Sequence, residues 1–205
     1  MHMDRHLARL FVAALALSLG WVGWAGAAHS DHGCDSCHTP HNAGSLPGVP
    51  LWNGHETVTS FTMYSSATFQ AAIDGQPSGA SRLCLSCHDG ANPSYLWMSA
   101  DKTFGADELT GTHPISFVYD SSLATTDGDL KDPSQPSTLG QTIAQDLLDP
   151  AGKVQCTSCH DVHTSGVGEF LLRGYDYGYS TVTNADGTTS QVHHGPELCR
   201  MCHLK

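Results

Sequence analysis

The sequence predicts a chain with few regular elements, mostly loops and short helices, whose middle is filled by something other than its own aliphatic side chains. Three observations predict it. Only 14% of residues are charged, while glycine reaches 21 and proline 10, a composition that struggles to bury an adequate core alone. Large aliphatic residues are sparse beyond residue 27. All eight cysteines fall in four copies of one motif: "CDSCH" from Cys34, "CLSCH" from Cys84, "CTSCH" from Cys156 and "CRMCH" from Cys199.

C-x-x-C-H is the attachment signature of c-type haem. Two thiols add across the two vinyl groups on one edge of a porphyrin, and the adjacent imidazole reaches the iron from one face. Other chemistries of paired cysteines explain less. Disulfides suit an exported chain, but they give no reason for a histidine after every pair. Structural zinc also uses C-x-x-C pairs, yet these pairs lie tens of residues apart, unlike those of a compact zinc ribbon. A thioredoxin-like redox motif occurs once, not four times. The fold class expected is a multihaem cytochrome c, with short helices and loops around a haem-packed core. Four haem c groups are attached through Cys34, Cys37, Cys84, Cys87, Cys156, Cys159, Cys199 and Cys202. His38, His88, His160 and His203 are the proximal iron ligands.

Along the chain, the first element is a leader. Arg5 and Arg9 precede the uncharged run "LFVAALALSLGWVGW", Leu10 to Trp24, and "AGAA" offers small residues for cleavage between Ala27 and Ala28. This three-part pattern predicts a secretory signal peptide over 1–27. A spanning helix wants about 20 apolar residues, and this run is shorter. Residues 28–205 are thus expected as a single exported tetrahaem domain with no membrane span. Within it, "SFTMYSSATFQAAIDG" predicts a helix closing at Gly75. The stretch "DSSLATTDGDLKDPSQPS" reads as a polar, turn-rich surface loop. "TLGQTIAQDLLD", Thr138 to Asp149, has apolar residues at helical spacing before Pro150 and predicts a short helix. "STVTNADGTTSQV" alternates β-branched residues around Asn184–Gly187 and predicts a small hairpin near 180–192, its edge facing solvent. Each haem motif is expected to open a short helical turn. No dinucleotide-binding pattern, phosphate loop, serine triad or repeat beyond the haem motif occurs.

What lies on the other face of each iron separates electron transfer from ligand chemistry. Beyond the leader and the four motifs, eight histidines remain, a surplus that suits four irons each wanting a second imidazole. His41 and His163 each follow a proximal histidine by three residues. That spacing cannot carry a ring around the porphyrin to the far face of the same haem, so each serves a different haem or none. His113 precedes Pro114, which holds it extended and stiff. His55 follows "LWNG", where Trp52 is placed to pack on a porphyrin edge. The expected distal set is His41, His55, His113 and His163, with Met63 and Met98 as alternatives. His29, His32, His193 and His194 read as solvated or structural.

Formal net charge is −11, and loss of Asp4, Arg5 and Arg9 with the leader makes it −12. A nucleic-acid binder shows the opposite sign, clustered in a basic patch. With two propionates on every haem, the acidic balance suits cationic partners or metal ions. If every iron carries two imidazoles, no position is left for a substrate, and the chain moves electrons rather than acting as an enzyme. A multihaem reductase needs an open iron, marked by an unusual proximal ligand or by too few histidines; neither is visible.

The order of "CDSCHTPHNAG", "LWNGH", "LCLSCHDG", "GTHPISFVY" and "CTSCHDVH" resembles the outer-surface multihaem cytochromes of metal-reducing bacteria, in particular the tetrahaem, filament-forming OmcE-like type. The resemblance covers most of residues 28–205; 175–192 has no counterpart. It implies bis-histidine haems stacked in a chain, and subunits that polymerise end to end into an extracellular nanowire. It also implies that one distal histidine comes from a neighbouring subunit, at the position of His41. The implied partners are further copies of the chain, other redox proteins and extracellular electron acceptors. The alternatives are a monomeric periplasmic electron shuttle and, in another class, the reductase.

Overall fold

The computed structural model describes residues 29, 33–46, 49–95, 98–163, 171–173, 179–184, 186–193 and 196–204. The leader over 1–27, His32 and His194 lie outside the described residues. Regular structure among the described residues is short. There are five α-helices: α1 (Gly79–His88), α2 (Ser121–Asp127), α3 (Ile143–Leu147), α4 (Cys156–Cys159) and α5 (Pro196–Cys202). Three antiparallel two-stranded sheets accompany them: β1 (Gly44–Leu46) with β2 (Val49–Trp52), β3 (Phe117–Val118) with β4 (Lys153–Val154), and β5 (Tyr179–Thr183) with β6 (Thr189–His193). The loop-rich architecture expected from composition is present, including the hairpin. In that hairpin Tyr179 pairs with His193 and Thr183 with Thr189. The turn is closed by Asn184 N–H to the Thr188 carbonyl at 2.7 Å and Gly187 N–H to the Asn184 carbonyl at 2.9 Å. No helix among the described residues is long and apolar enough to cross a membrane.

Two segments differ from expectation. Residues 60–75 form no helix. Their apolar side chains serve separate clusters: Phe61 packs with Leu85 and Leu109, whereas Phe69, Ala71 and Ile73 pack on the C-terminal core. One helix face cannot reach both. The Gln76 side chain holds Phe61 extended by accepting from its N–H at 2.9 Å and donating to its carbonyl at 2.8 Å. Conversely, the expected loop over 120–137 contains α2. Asp120 caps it by accepting from the Leu123 N–H at 2.8 Å, and Gly128 ends it at φ 78°, the left-handed conformation that glycine adopts without steric cost. Ala124, buried beneath this turn, gives the helix an inward face. The helix expected over 138–149 is present but confined to α3, where Thr142 and Gln145 form a reciprocal capping box.

The aliphatic core is small and divided. One cluster gathers Phe117, Tyr119, Ala124, Ile143, Leu147, Val154, Leu198 and Met201; the other consists of Phe61, Leu85 and Leu109. Between α1 and α4 lies a buried polar joint instead. Ser81 Oγ accepts from the Cys156 N–H at 2.9 Å and donates to Gln155 Oε1 at 2.6 Å. Gln155 Nε2 donates to Asp149 Oδ2 at 2.9 Å, and Ser116 Oγ donates to Gln155 Oε1 at 3.2 Å. A side chain at Gly79 would meet Gln155 Nε2 at 3.0 Å, and its φ is +50°. Buried polar groups persist where partners satisfy them, and this joint fixes the second C-x-x-C-H motif against the third.

Candidate metal centres

Each motif is held as a helical turn. The His38 N–H bonds to the Cys34 carbonyl at 2.8 Å, His160 to Cys156 at 3.0 Å and His203 to Cys199 at 2.9 Å. The second motif lies in the last turn of α1. Spacings of three and four residues put both sulfurs and the imidazole on one side of such a turn, where a single macrocycle can meet all three. The first and third motifs open their turns as expected, whereas the second and fourth close longer helices. The backbone is then pinned at the histidine itself: His38 bridges to Trp52, His160 to Leu172 and His203 to Leu130.

None of the eight cysteines is in a disulfide, and sulfurs of successive motifs are neighbours. The Cys37 thiol is raised by burial, then by the charges of Cys87 and Cys34. The Cys84 thiol donates to Cys156; that bond, then burial, pushes Cys84 well up, and the same bond draws Cys156 down to about 7 against its burial. Burial, then the charge of Cys199, pushes Cys159 up to about 11; burial, then Cys159, does the same to Cys202. The first motif therefore adjoins the second, the second the third, and the third the fourth.

Three histidines of the motifs each lie near a second imidazole. His38 faces His163 with ring centroids 6.1 Å apart and planes 23° apart. His113 faces His203 at 6.3 Å and 77°. His29 faces His88 at 6.0 Å and 42°. These separations fall within the range of ordinary aromatic contacts, about 4.5–7 Å. They also suit two imidazoles sharing one metal: a ring nitrogen sits about 2 Å from a metal and about 1.2 Å from its own ring centre, so two opposed rings would have centroids about 6.4 Å apart. Each pair brings two donors. They suffice for iron whose other four ligands are porphyrin nitrogens.

The imidazoles are also oriented. His88 Nδ1 donates to the Lys102 carbonyl at 2.6 Å, and His113 Nδ1 to the Pro114 carbonyl at 2.9 Å. A carbonyl only accepts, so Nδ1 carries the proton and Nε2 keeps its lone pair, the second-shell arrangement that metal-bound histidines use. Desolvation lowers the pKa of His113 and the charge of His203 adds to this, against the opposing Pro114 bond; the neutral ring is the form that ligates. Beside His113 and His203 opens a cleft of about 240 Å³, lined in part by Tyr64, Phe69, Phe117, Leu130, Val154 and Cys202. Phe69 meets Phe117 edge-on at 5.2 Å and Tyr64 at 5.5 Å, an aromatic wall. The volume is below that of typical small-molecule pockets, about 300–1,000 Å³, and the largely apolar lining is what a flat macrocycle's edge would meet.

Of the expected distal residues, His113 and His163 thus face proximal histidines of other motifs. His41 is exposed; its carbonyl accepts from the Thr39 hydroxyl at 2.9 Å, and its ring meets no other ring among the described residues. His55 is exposed beside the first motif, its carbonyl accepting from Trp52 Nε1 at 2.7 Å. Met63 is occupied in the cluster of Phe61, Leu85 and Leu109. His29, read from the sequence as solvated or structural, is half-buried beside His88. No spacing rule points to it, because only the fold brings the two together. Comparison with protein-family models, curated proteins and solved structures finds no match.

Proposed function

We propose that this chain is an exported electron-transfer protein carrying four covalent c-type haems, each iron closed by two imidazoles. The observation that carries the reading is the recurrence of one spacing, 6.0 to 6.3 Å, between a motif histidine and a second imidazole at three of the four motifs. Haem c supplies a one-electron iron couple, and histidine pairs hold it at lower potentials than histidine–methionine pairs. The chain's residues do the rest. Cysteines anchor the macrocycle edges, and successive motifs sit side by side through Cys37 and Cys87, Cys84 and Cys156, and Cys159 and Cys199. Carbonyls of Lys102 and Pro114 aim the imidazoles of His88 and His113. Aromatic and aliphatic side chains make up much of the cleft wall at the fourth site. Were each iron held by two imidazoles, no seat would be left for a substrate, and the protein would be a conduit rather than an enzyme. The test is the purified secreted protein with and without carbon monoxide. The reading expects four haems per chain, low-spin iron only, and no carbon monoxide bound after reduction; high-spin iron in the intact protein would favour the reductase.

The polymer implied by the resemblance is part of the proposal. His41 lies three residues beyond His38, cannot reach the far face of its own haem, and presents an exposed imidazole that meets no other ring among the described residues. Such a ring suits donation to a second copy of this chain, giving extracellular filaments that pass electrons to other redox proteins and extracellular acceptors. Electron microscopy of the wild type and His41→Ala tests it. Filaments in the first and discrete particles with four haems in the second are expected; normal filaments from His41→Ala would remove the intersubunit role, and particles in both would leave a monomeric periplasmic shuttle.

A further inference from the structure

We propose that His29 is the second axial ligand of the iron held by Cys84, Cys87 and His88, so that the amino terminus of the processed chain completes the second haem site. The inference rests on the haem reading above. Three pairs of imidazoles share one spacing, and two of them involve histidines whose sequence setting already suggests ligation. The third pair, His29 with His88, matches them to within a few tenths of an ångström. His88 is committed to this geometry, since its Nδ1 proton is engaged by the Lys102 carbonyl and only Nε2 is left to bind. His29 is half-buried and its Nδ1 is shielded from solvent, unusual for a residue two positions from an expected chain end, where side chains are ordinarily loose. With the expected cleavage between Ala27 and Ala28, only Ala28 would precede it. Ligation there staples the amino terminus to the end of α1, closing a loop of nearly the whole first third of the protein.

The experiment uses the full chain, exported and haem-loaded, with His29→Ala and His29→Met. Wild type with four low-spin haems establishes the parent reading; fewer haems would sink that reading itself, independently of His29. On that background, His29→Ala is expected to keep four haems while one quarter of its iron becomes high-spin. After reduction it binds one carbon monoxide per chain, where wild type binds none, and added imidazole restores the low-spin spectrum. Four low-spin haems and no carbon monoxide uptake in His29→Ala would overturn the proposal. If His29→Ala does not accumulate, His29→Met decides. One haem in four gaining a methionine sulfur-to-iron charge-transfer band, with a raised potential, supports His29 as ligand; a spectrum identical to wild type rejects it.

Discussion

Replacing Ser81 by alanine removes one hydroxyl from the joint that holds the second and third haem motifs together. That hydroxyl accepts from the Cys156 N–H at 2.9 Å and donates to Gln155 Oε1 at 2.6 Å. Ser81 is 0% exposed and Gln155 1%, so water does not replace the lost partner. Gln155 Oε1 retains a second donor in Ser116 at 3.2 Å, and its loss is partial. The Cys156 amide is different. It opens α4, where the first amides have no acceptor within the helix, and a buried donor left unpaired costs about 1–3 kcal/mol. Alanine's better helix propensity returns a few tenths of that. A net loss of about 2 kcal/mol, with a urea dependence of about 2 kcal/mol per molar, lowers the unfolding midpoint by about 1 M. The assay is urea unfolding of the haem-loaded protein followed in the Soret region. Ser86→Ala is the control: Ser86 is equally buried, but its hydroxyl donates only to the Leu83 carbonyl of its own helix, at 2.7 Å. A Ser81→Ala midpoint unchanged, or no lower than that of Ser86→Ala, would refute the joint.

Three further expectations address the sites and the surface. His113→Ala should leave four haems attached but turn one of them high-spin, read by absorption and carbon monoxide uptake, while a low-spin spectrum throughout would mean that His203 has another partner. Electron paramagnetic resonance of the oxidised protein should resolve two classes of low-spin iron: a rhombic one from the near-parallel His38–His163 planes at 23° and a strongly anisotropic one from the near-perpendicular His113–His203 planes at 77°. A single class would contradict those geometries. Asp74 is raised by burial, but the Lys153 and Ser78 bonds and the Lys153 charge outweigh this and hold its carboxyl below the usual range. Its contribution is therefore full above about pH 4, the unfolded carboxyl value, and is lost as pH falls through the lower folded one. Asp74→Asn should cost up to about 1 kcal/mol at pH 7, this pair being partly exposed, with the deficit closing in acid; a deficit independent of pH would show that the ion pair is not its source.

The helical turns of the C-x-x-C-H motifs were legible because each is written in contiguous residues: cysteine, two spacers, cysteine, histidine. The hairpin was legible for a similar reason, its alternation and its Asn184–Gly187 turn being local signals. The helix expected over 60–75 was not formed because local periodicity cannot say that Phe61 and Phe69 serve different clusters. The helix over Ser121–Asp127 was hidden among polar residues, although its start and stop signals, Asp120 before and Gly128 after, stood in the sequence. The pairing of imidazoles lies further still from local reading. His38 meets His163, and His29 meets His88, only after the chain has folded back on itself. The polar joint of Ser81, Ser116, Asp149 and Gln155 is likewise assembled from three distant segments, and polar residue types give no hint of burial.

The intact mass of the secreted protein, taken without reduction, tests the central claim most directly. The account predicts residues 28–205 plus four haems, with all eight cysteines consumed as thioethers. The mass of the bare chain, of the chain lighter by the hydrogens that disulfides release, or of a chain with fewer than four haems would contradict it.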